Sequence, residues 1–205
     1  MSDRSAAPGN LVLVESLVNS LDIESGRDLL DTEEGRANLG IGPEDVADAR
    51  TLRESLRAAL LAHAGHRPHR TVTPLGDLLA HAPLHLAVDD TDGSARLAPA
   101  DPAPLLSRVA TAVAEALVAG VWQRLKACEA PDCHWAYYDR SPAGRGRWCS
   151  MQVCGARAKM RRYRAKDAET AKDAGTAKDA ETGKSAKGTE GAQQARDTAP
   201  HTKDR

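Results

Sequence analysis

The chain has four cysteines, Cys128, Cys133, Cys149 and Cys154, arranged as two equal pairs. Four residues separate the members of each pair, and fifteen lie between the pairs. Two thiol pairs joined by a short loop can close a tetrahedral four-thiolate site, the arrangement zinc takes in structural domains. The alternative is free or disulfide-bonded thiols, and the compartment decides between them. Leu11–Val18 is apolar, but Glu15 interrupts it and only Arg4 precedes it, so no secretory leader is read. No run reaches the roughly 18 apolar residues that cross a bilayer, so no membrane partner is expected. A reducing, cytoplasmic setting is expected, where metal prevails over disulfides. We therefore expect one structural zinc ion per chain on these four cysteines. His134, beside Cys133, is the one residue placed to replace a thiolate. A catalytic zinc would need an open coordination position and a general base, and neither is signposted.

Charge divides the chain in the same place. Residues 1–120 carry 10 Lys/Arg against 18 Asp/Glu, a net of −8, whereas residues 121–166 carry 11 against 3, a net of +8. A basic block after an acidic one points to a polyanionic partner for that block. The aromatics agree: Phe is absent, and Trp122, Trp135, Tyr137, Tyr138, Trp148 and Tyr163 make up all the Trp and Tyr. The region before them must build its core from Leu, Val, Ala and Ile. The expected organisation is a domain over 1–121, a small zinc domain over 122–166 and a low-complexity tail over 167–205.

Hydrophobic spacing predicts mostly helix in the first domain. Leu11, Val14, Leu17, Val18 and Leu21 recur at helical intervals. Asp22–Leu39 reads as polar and irregular, with a turn near Asp28–Leu30. Pro43, followed by Glu44 and Asp45, opens a long helix whose apolar face runs from Val46 to Leu60 and which Gly65 stops. Thr73-Pro74 starts a short helix over Leu75–His81. Leu84–Val88 and Ala95–Ala98 flank an Asp-Gly turn and read as a β-hairpin. After Pro104 a helix is expected to run to about Lys126. The fold class is thus α+β: a mostly helical domain with one small hairpin, then the zinc segment.

Within that segment Ser150 is read as a helix N-cap, which puts Cys154 in the first turn of a helix. The partial positive charge of that end would face the thiolates. Arg145 and Arg147, just before Cys149, add cations around the site, and Trp135, Tyr137, Tyr138 and Trp148 would cover the metal. The fifteen-residue loop is long enough for one hairpin. Beyond Cys154, at about 100° per residue, Arg157, Arg161 and Arg164 form one stripe, and Lys159, Arg162 and Lys166 a second. Val153, Met160 and Tyr163 form a flank able to pack. Past 166 the chain repeats Ala-Lys-Asp-Ala-Glu/Gly-Thr without Leu, Ile or Val, a composition expected to be disordered.

The string from Arg124 through Cys128-Glu-Ala-Pro-Asp-Cys133-His-Trp-Ala-Tyr-Tyr-Asp-Arg-Ser-Pro, then Arg147-Trp-Cys-Ser-Met-Gln-Val-Cys-Gly-Ala-Arg-Ala-Lys-Met-Arg-Arg-Tyr-Arg, resembles the bacterial CGNR zinc-finger family over about residues 122–166. Residues 10–120 resemble, more loosely, the ABATE domain that accompanies it, from Leu-Val-Leu-Val-Glu-Ser-Leu through Arg27-Asp-Leu-Leu. The resemblance implies a treble-clef-like zinc domain, Cys128, Cys133, Cys149 and Cys154 as its zinc ligands, and a stress-related transcription regulator. One departure stands out. The family is named for Cys-Gly-Asn-Arg, and this chain reads Cys154-Gly155-Ala156-Arg157, so any contact made by that Asn side chain is absent here.

The function expected is a DNA-binding transcription regulator. Its nucleic-acid contacts would come from Arg145, Arg147, Arg157, Lys159, Arg161, Arg162, Arg164 and Lys166, where bidentate phosphate contacts favour Arg. The first domain would sense a small molecule or mediate assembly. A homodimer is expected, because one zinc module buries only about 600–1,000 Å² on DNA. The rival reading is a zinc-stabilised module for an acidic protein partner. No phosphate loop, nucleophile–base pair or carboxylate dyad points to an enzyme. Two further groups stay open. His63, His66 and His69 recur every three residues, but Gly65 and Pro68 interrupt the helix through them; they read as a helix end and loop or, less readily, a second metal site. Glu15 and Asn19 share a face of the first helix, as a structural polar pair or as contacts to a small ligand.

Overall fold

A computed structural model describes residues 6–169. The expected disorder of the tail concerns residues outside that range, apart from 167–169. The described residues divide into two units, with the boundary between Ala156 and Arg157.

In the first unit, α1 (Leu11–Val18) buries Leu11, Val14, Leu17 and Val18. A 3₁₀ turn (Leu29–Asp31) leads into α2 (Glu33–Leu39), which the polar composition of this stretch concealed. Its signals are local. Thr32 caps it by accepting from the Gly35 amide at 3.1 Å, Glu33 and Glu34 occupy the first turn, and Gly40 ends it at φ 60°. Gly35, which would ordinarily argue against a helix, is there for space: a Cβ would sit 2.1 Å from the Leu29 carbonyl oxygen.

The central helix α3 (Val46–His63) begins at Val46, with Asp45 as its N-cap and Pro43 in the turn before. It buries the expected Ala49, Leu52, Leu56 and Leu60, and with them Arg53, Glu54, Ser55 and Arg57. The short α4 (Leu75–Leu79) follows. Strands β1 (Leu84–Val88) and β2 (Ala95–Pro99) form the expected antiparallel hairpin, with Leu86 opposite Leu97 and Gly93 at φ 73° in the turn.

Helix α5 (Leu105–Val118) stops well short of Lys126. Gly120 takes a left-handed conformation (φ 67°), and the Val121 amide turns back onto the Ala116 carbonyl at 2.9 Å, closing the helix end. The residues thus freed build β3 (Leu125–Ala127), paired antiparallel with β4 (Ala136–Tyr138). This second hairpin therefore brackets the first cysteine pair instead of lying between the two pairs. One apolar core runs through the whole unit: Trp122, Leu125, Ala127 and Ala136 share a buried cluster with α1, α3 and α5. A smaller cluster gathers Cys128, Ala130 and Cys154, with Cys133, Trp148 and Cys149 packed against it.

The second unit is helical over its described residues, 157–169. Among the described residues no helix is long and apolar enough to cross a membrane.

Candidate metal centre

The β3–β4 hairpin delivers the first cysteine pair. Cys128 leaves β3 with its amide bonded to the Trp135 carbonyl at 2.9 Å, which extends the ladder by one rung. The intervening turn folds back so that the amides of Cys133 (3.0 Å) and His134 (3.2 Å) both reach the Ala130 carbonyl. His134 closes the turn at φ 47°, the one non-glycine with a left-handed backbone among the described residues. Such a conformation costs about 1–3 kcal/mol and persists only where surroundings enforce it. Here they do. The His134 ring donates from Nδ1 to the Cys128 carbonyl at 3.1 Å, and its own carbonyl accepts from Arg57 Nη1 at 2.8 Å. His134 is therefore a brace of the turn, and its Nδ1 is committed to the backbone.

Of the second pair, Cys149 lies just before a π-helical turn, Met151–Gly155, and Cys154 lies within it. Ser150 caps it as expected: its Oγ accepts from the Val153 amide at 3.3 Å, and its carbonyl accepts from the Gly155 amide at 2.9 Å. Cys154 thus lies in the first turn, whose exposed amides favour negative charge. Gly155 is buried against side chains, since a Cβ there would lie 3.1 Å from Met151 Sδ and 3.2 Å from Trp148 Cδ1.

The four sulfurs converge. Cys149 Sγ lies 3.6 Å from both Cys133 Sγ and Cys154 Sγ, and all four fall within 4.8 Å of one another. A tetrahedral site with zinc–sulfur bonds of about 2.3 Å has sulfur–sulfur edges of about 3.8 Å, so the set matches one zinc ion. Backbone N–H groups near the sulfurs, those of Ala130 and Cys149 by Cys128 and that of Trp135 by Cys133, favour the thiolate form. Without a cation the four thiols compete for charge. Hydrogen bonds from Cys133 and Cys149 hold Cys128 far below the usual thiol range, while the same contact with Cys128 pushes Cys133 and Cys149 up and burial pushes Cys154 up. A divalent ion removes that competition by taking all four as thiolates. With four cysteines and no open position, the zinc is structural.

Of the four aromatics expected to cover the metal, Trp148 packs on the cysteine cluster. Tyr137 is buried outside the cysteine cluster, Tyr138 turns to the main core, and Trp135, just before β4, is 38% exposed. The loop between β4 and Cys149 is held from beneath. Lys126 Nζ donates to Asp139 Oδ2 at 2.9 Å, and Asp139 also accepts from the Gly146 amide at 2.7 Å and the Ser141 amide at 3.0 Å. Burial alone would raise the Asp139 pKa, but the bonds from Ser141 and Lys126 outweigh it and hold the carboxyl far below the usual range. Gly146 fits because a Cβ would lie 2.9 Å from that carboxylate.

A buried ionic network on α3 backs the centre. Arg57 is fully buried and donates to the His134 carbonyl, to the Val18 carbonyl at 2.8 Å and to Glu54 at 3.2 Å. Glu54 also pairs with Arg53 (3.0 Å), His69 (3.1 Å) and Arg70 (3.3 Å), and Arg53 continues to Asp28. Burial would raise the Glu54 pKa, yet Arg57, Arg70 and Arg53 together hold it below the ordinary value. The network was not foreseen; its signal was charged residues at 53, 54 and 57 interleaved with the leucines of one helix.

Both open groups resolve as structure. Asn19 pairs with the backbone of Ala136 in both directions (2.7 and 3.0 Å), as a neighbouring strand would, and Glu15 accepts from the Ala7 amide. His63 donates to the Leu125 carbonyl at 2.7 Å, His66 lies 3.6 Å from Glu129, and the His69 ring packs on His134. They meet the zinc segment one by one and form no metal cluster among the described residues.

Of the expected nucleic-acid contacts, Arg145 and Arg147 are exposed on the loop before Cys149. Arg147 grips Glu129 with two nitrogens and lies over the Trp148 ring, so part of its charge is already balanced. In the second unit Arg157, Lys159, Arg161, Arg162, Arg164 and Lys166 are all exposed, as are Met160 and Tyr163.

Comparison with known families places the model for the CGNR zinc finger on residues 124–167. The model for ABATE, described as "Putative stress-induced transcription regulator", covers residues 11–120. No curated protein matches the chain.

Proposed function

The chain belongs to the ABATE family and carries a CGNR zinc finger, and from that premise we propose that it regulates transcription by binding duplex DNA through the basic residues around and beyond its zinc site. The observation that carries this reading is the run Arg157, Lys159, Arg161, Arg162, Arg164 and Lys166, all solvent-exposed on one helix. Arginine forks suit phosphate oxygens, and a helix turns its two basic stripes at regular spacing. Arg145 and Arg147 supply further cations from the loop before Cys149. The bound zinc fixes the fold of that loop and contributes no chemistry of its own. The N-terminal domain acts as the sensing or assembly part, and a second copy would enlarge an interface that one zinc module leaves small.

Binding of the zinc-loaded full chain to random duplex, followed by fluorescence anisotropy across salt concentrations, tests this. If about six phosphates are contacted, log affinity falls against log salt with a slope of roughly −5. Arg161→Ala or Arg164→Ala each reduces that slope by about 1 and weakens binding alike on all sequences. A flat salt response would instead favour an acidic protein partner.

A further inference from the structure

The first unit contains a cavity of about 380 Å³ between the start of α3, the end of α4 and the start of α5. Its size falls among those that take small ligands, about 300–1,000 Å³. The walls are apolar: Ala49 and Leu52 are buried, and Leu78, Leu105 and Leu106 are half-buried. Polar groups sit at the mouth, namely Asp45, Asp48, Thr51 and His81.

The two carboxylates distinguish this cavity from a mere gap in packing. On the other side of α3 the acidic groups are spoken for: Asp28 and Asp31 pair with Arg50 and Arg53, and Glu54 with Arg53 and Arg57. Positions 45, 48, 49 and 52 share a different face at helical spacing. There Asp45 and Asp48 have neither an ion pair nor a side-chain hydrogen bond among the described residues. Neither Arg nor Lys lines the cavity. The surrounding sequence, residues 1–120, adds a net charge of −8.

We propose that this cavity binds a small organic cation with an apolar body, of the alkylamine class. The hydrocarbon part fills the space among Leu52, Leu78, Leu105 and Leu106, and the ammonium group sits between Asp45 and Asp48, with the Thr51 hydroxyl within the same mouth. An anion of equal size is repelled, and a neutral alcohol gains only the apolar contact. The inference deepens the reading of the N-terminal domain as a sensor. Stabilisation of the α3 N-terminus by its own acidic residues is the competing reason for Asp45 and Asp48 to be where they are. It predicts no preference among ligands.

The test is a titration of the zinc-loaded full chain with n-hexylamine and n-octylamine against n-hexanol and hexanoate, read by amide NMR shifts in the absence of nucleic acid. The amines should shift the amides of Leu52, Leu78 and Leu105, and affinity should rise about fourfold per added methylene until the cavity is full. Hexanol should bind at least about fivefold more weakly than hexylamine, and hexanoate more weakly still. The exposed pair Asp45→Asn and Asp48→Asn should weaken hexylamine by about fivefold to thirtyfold and leave hexanol unchanged. Ala49→Leu, which occupies the cavity, should abolish binding of amine and alcohol alike. Equal affinity for amine and alcohol, shifts confined to other parts of the chain, or no shift in the millimolar range would each overturn the proposal. Because no nucleic acid is present, failure of DNA binding would leave this result intact, and the converse holds too.

Discussion

At the residue scale, side chains that are not ligands brace the turn that carries the first cysteine pair. Arg57 joins the Glu54 network to the turn behind Cys133 through the His134 carbonyl. Removing one partner of a buried ionic group leaves the others unpaired, so Arg57→Met should cost about 3–5 kcal/mol, measured from the urea midpoint of the zinc-loaded protein. A loss under about 1 kcal/mol would show that the network contributes little. His63 gives a pH dependence. Burial lowers its pKa more than its bond to the Leu125 carbonyl raises it, with Lys126 lowering it further. The neutral imidazole is the folded form, so its contribution is full above about pH 6.5 and is lost as pH falls below that value. Glu54 and Asp139, held low, act in the same direction further down the scale. His63→Gln, which keeps a donor for Leu125, should therefore flatten the change in melting temperature between about pH 7 and 5.5. The four cysteines were plain in the sequence because spacing alone marks a metal site. Arg57 and Asn19 were not, because their partners are backbone atoms 77 and 117 residues away.

At the element scale, turn chemistry decided what periodicity could not. The first helix, the long α3 and the β1–β2 hairpin were legible from apolar spacing and an Asp-Gly turn. Helix α2 was hidden because Gly35 and a polar composition resemble a loop, although Thr32 and two glutamates mark its start. The end of α5 was hidden because Leu117 and Val118 continue its apolar pattern while being 58% and 81% exposed. Gly120 carried the signal, as the residue able to turn the chain toward β3. The π-helical turn that presents Cys154 depends on the Ser150 cap. Ser150→Ala should cost about 0.5–2 kcal/mol and speed zinc transfer to a competing chelator. An unchanged transfer rate would mean that the metal, and not the cap, holds the turn.

At the scale of the whole molecule, the zinc hairpin is not a separate appendage of the helical domain. Leu125, Ala127 and Ala136 lie in the same core as Leu17, Leu56 and Val109, and Arg57 and Asn19 bind its backbone. Charge and aromatic content in the sequence changed near residue 121, but packing does not stop there, since apolar contact follows shape and not composition. Chelation should therefore propagate. Metal binding in structural zinc sites is worth about 10–16 kcal/mol, so its loss should free the amides of 125–138 and those of α3 near Arg57 in hydrogen exchange. Exchange confined to the cysteine segment would contradict that coupling.

All of this depends on one metal ion on four sulfurs. Metal analysis joined to zinc-edge X-ray absorption on the full chain addresses it directly. The account predicts one zinc per chain with four sulfur neighbours at about 2.3 Å. Substoichiometric zinc, or a shell containing nitrogen or oxygen, would contradict it.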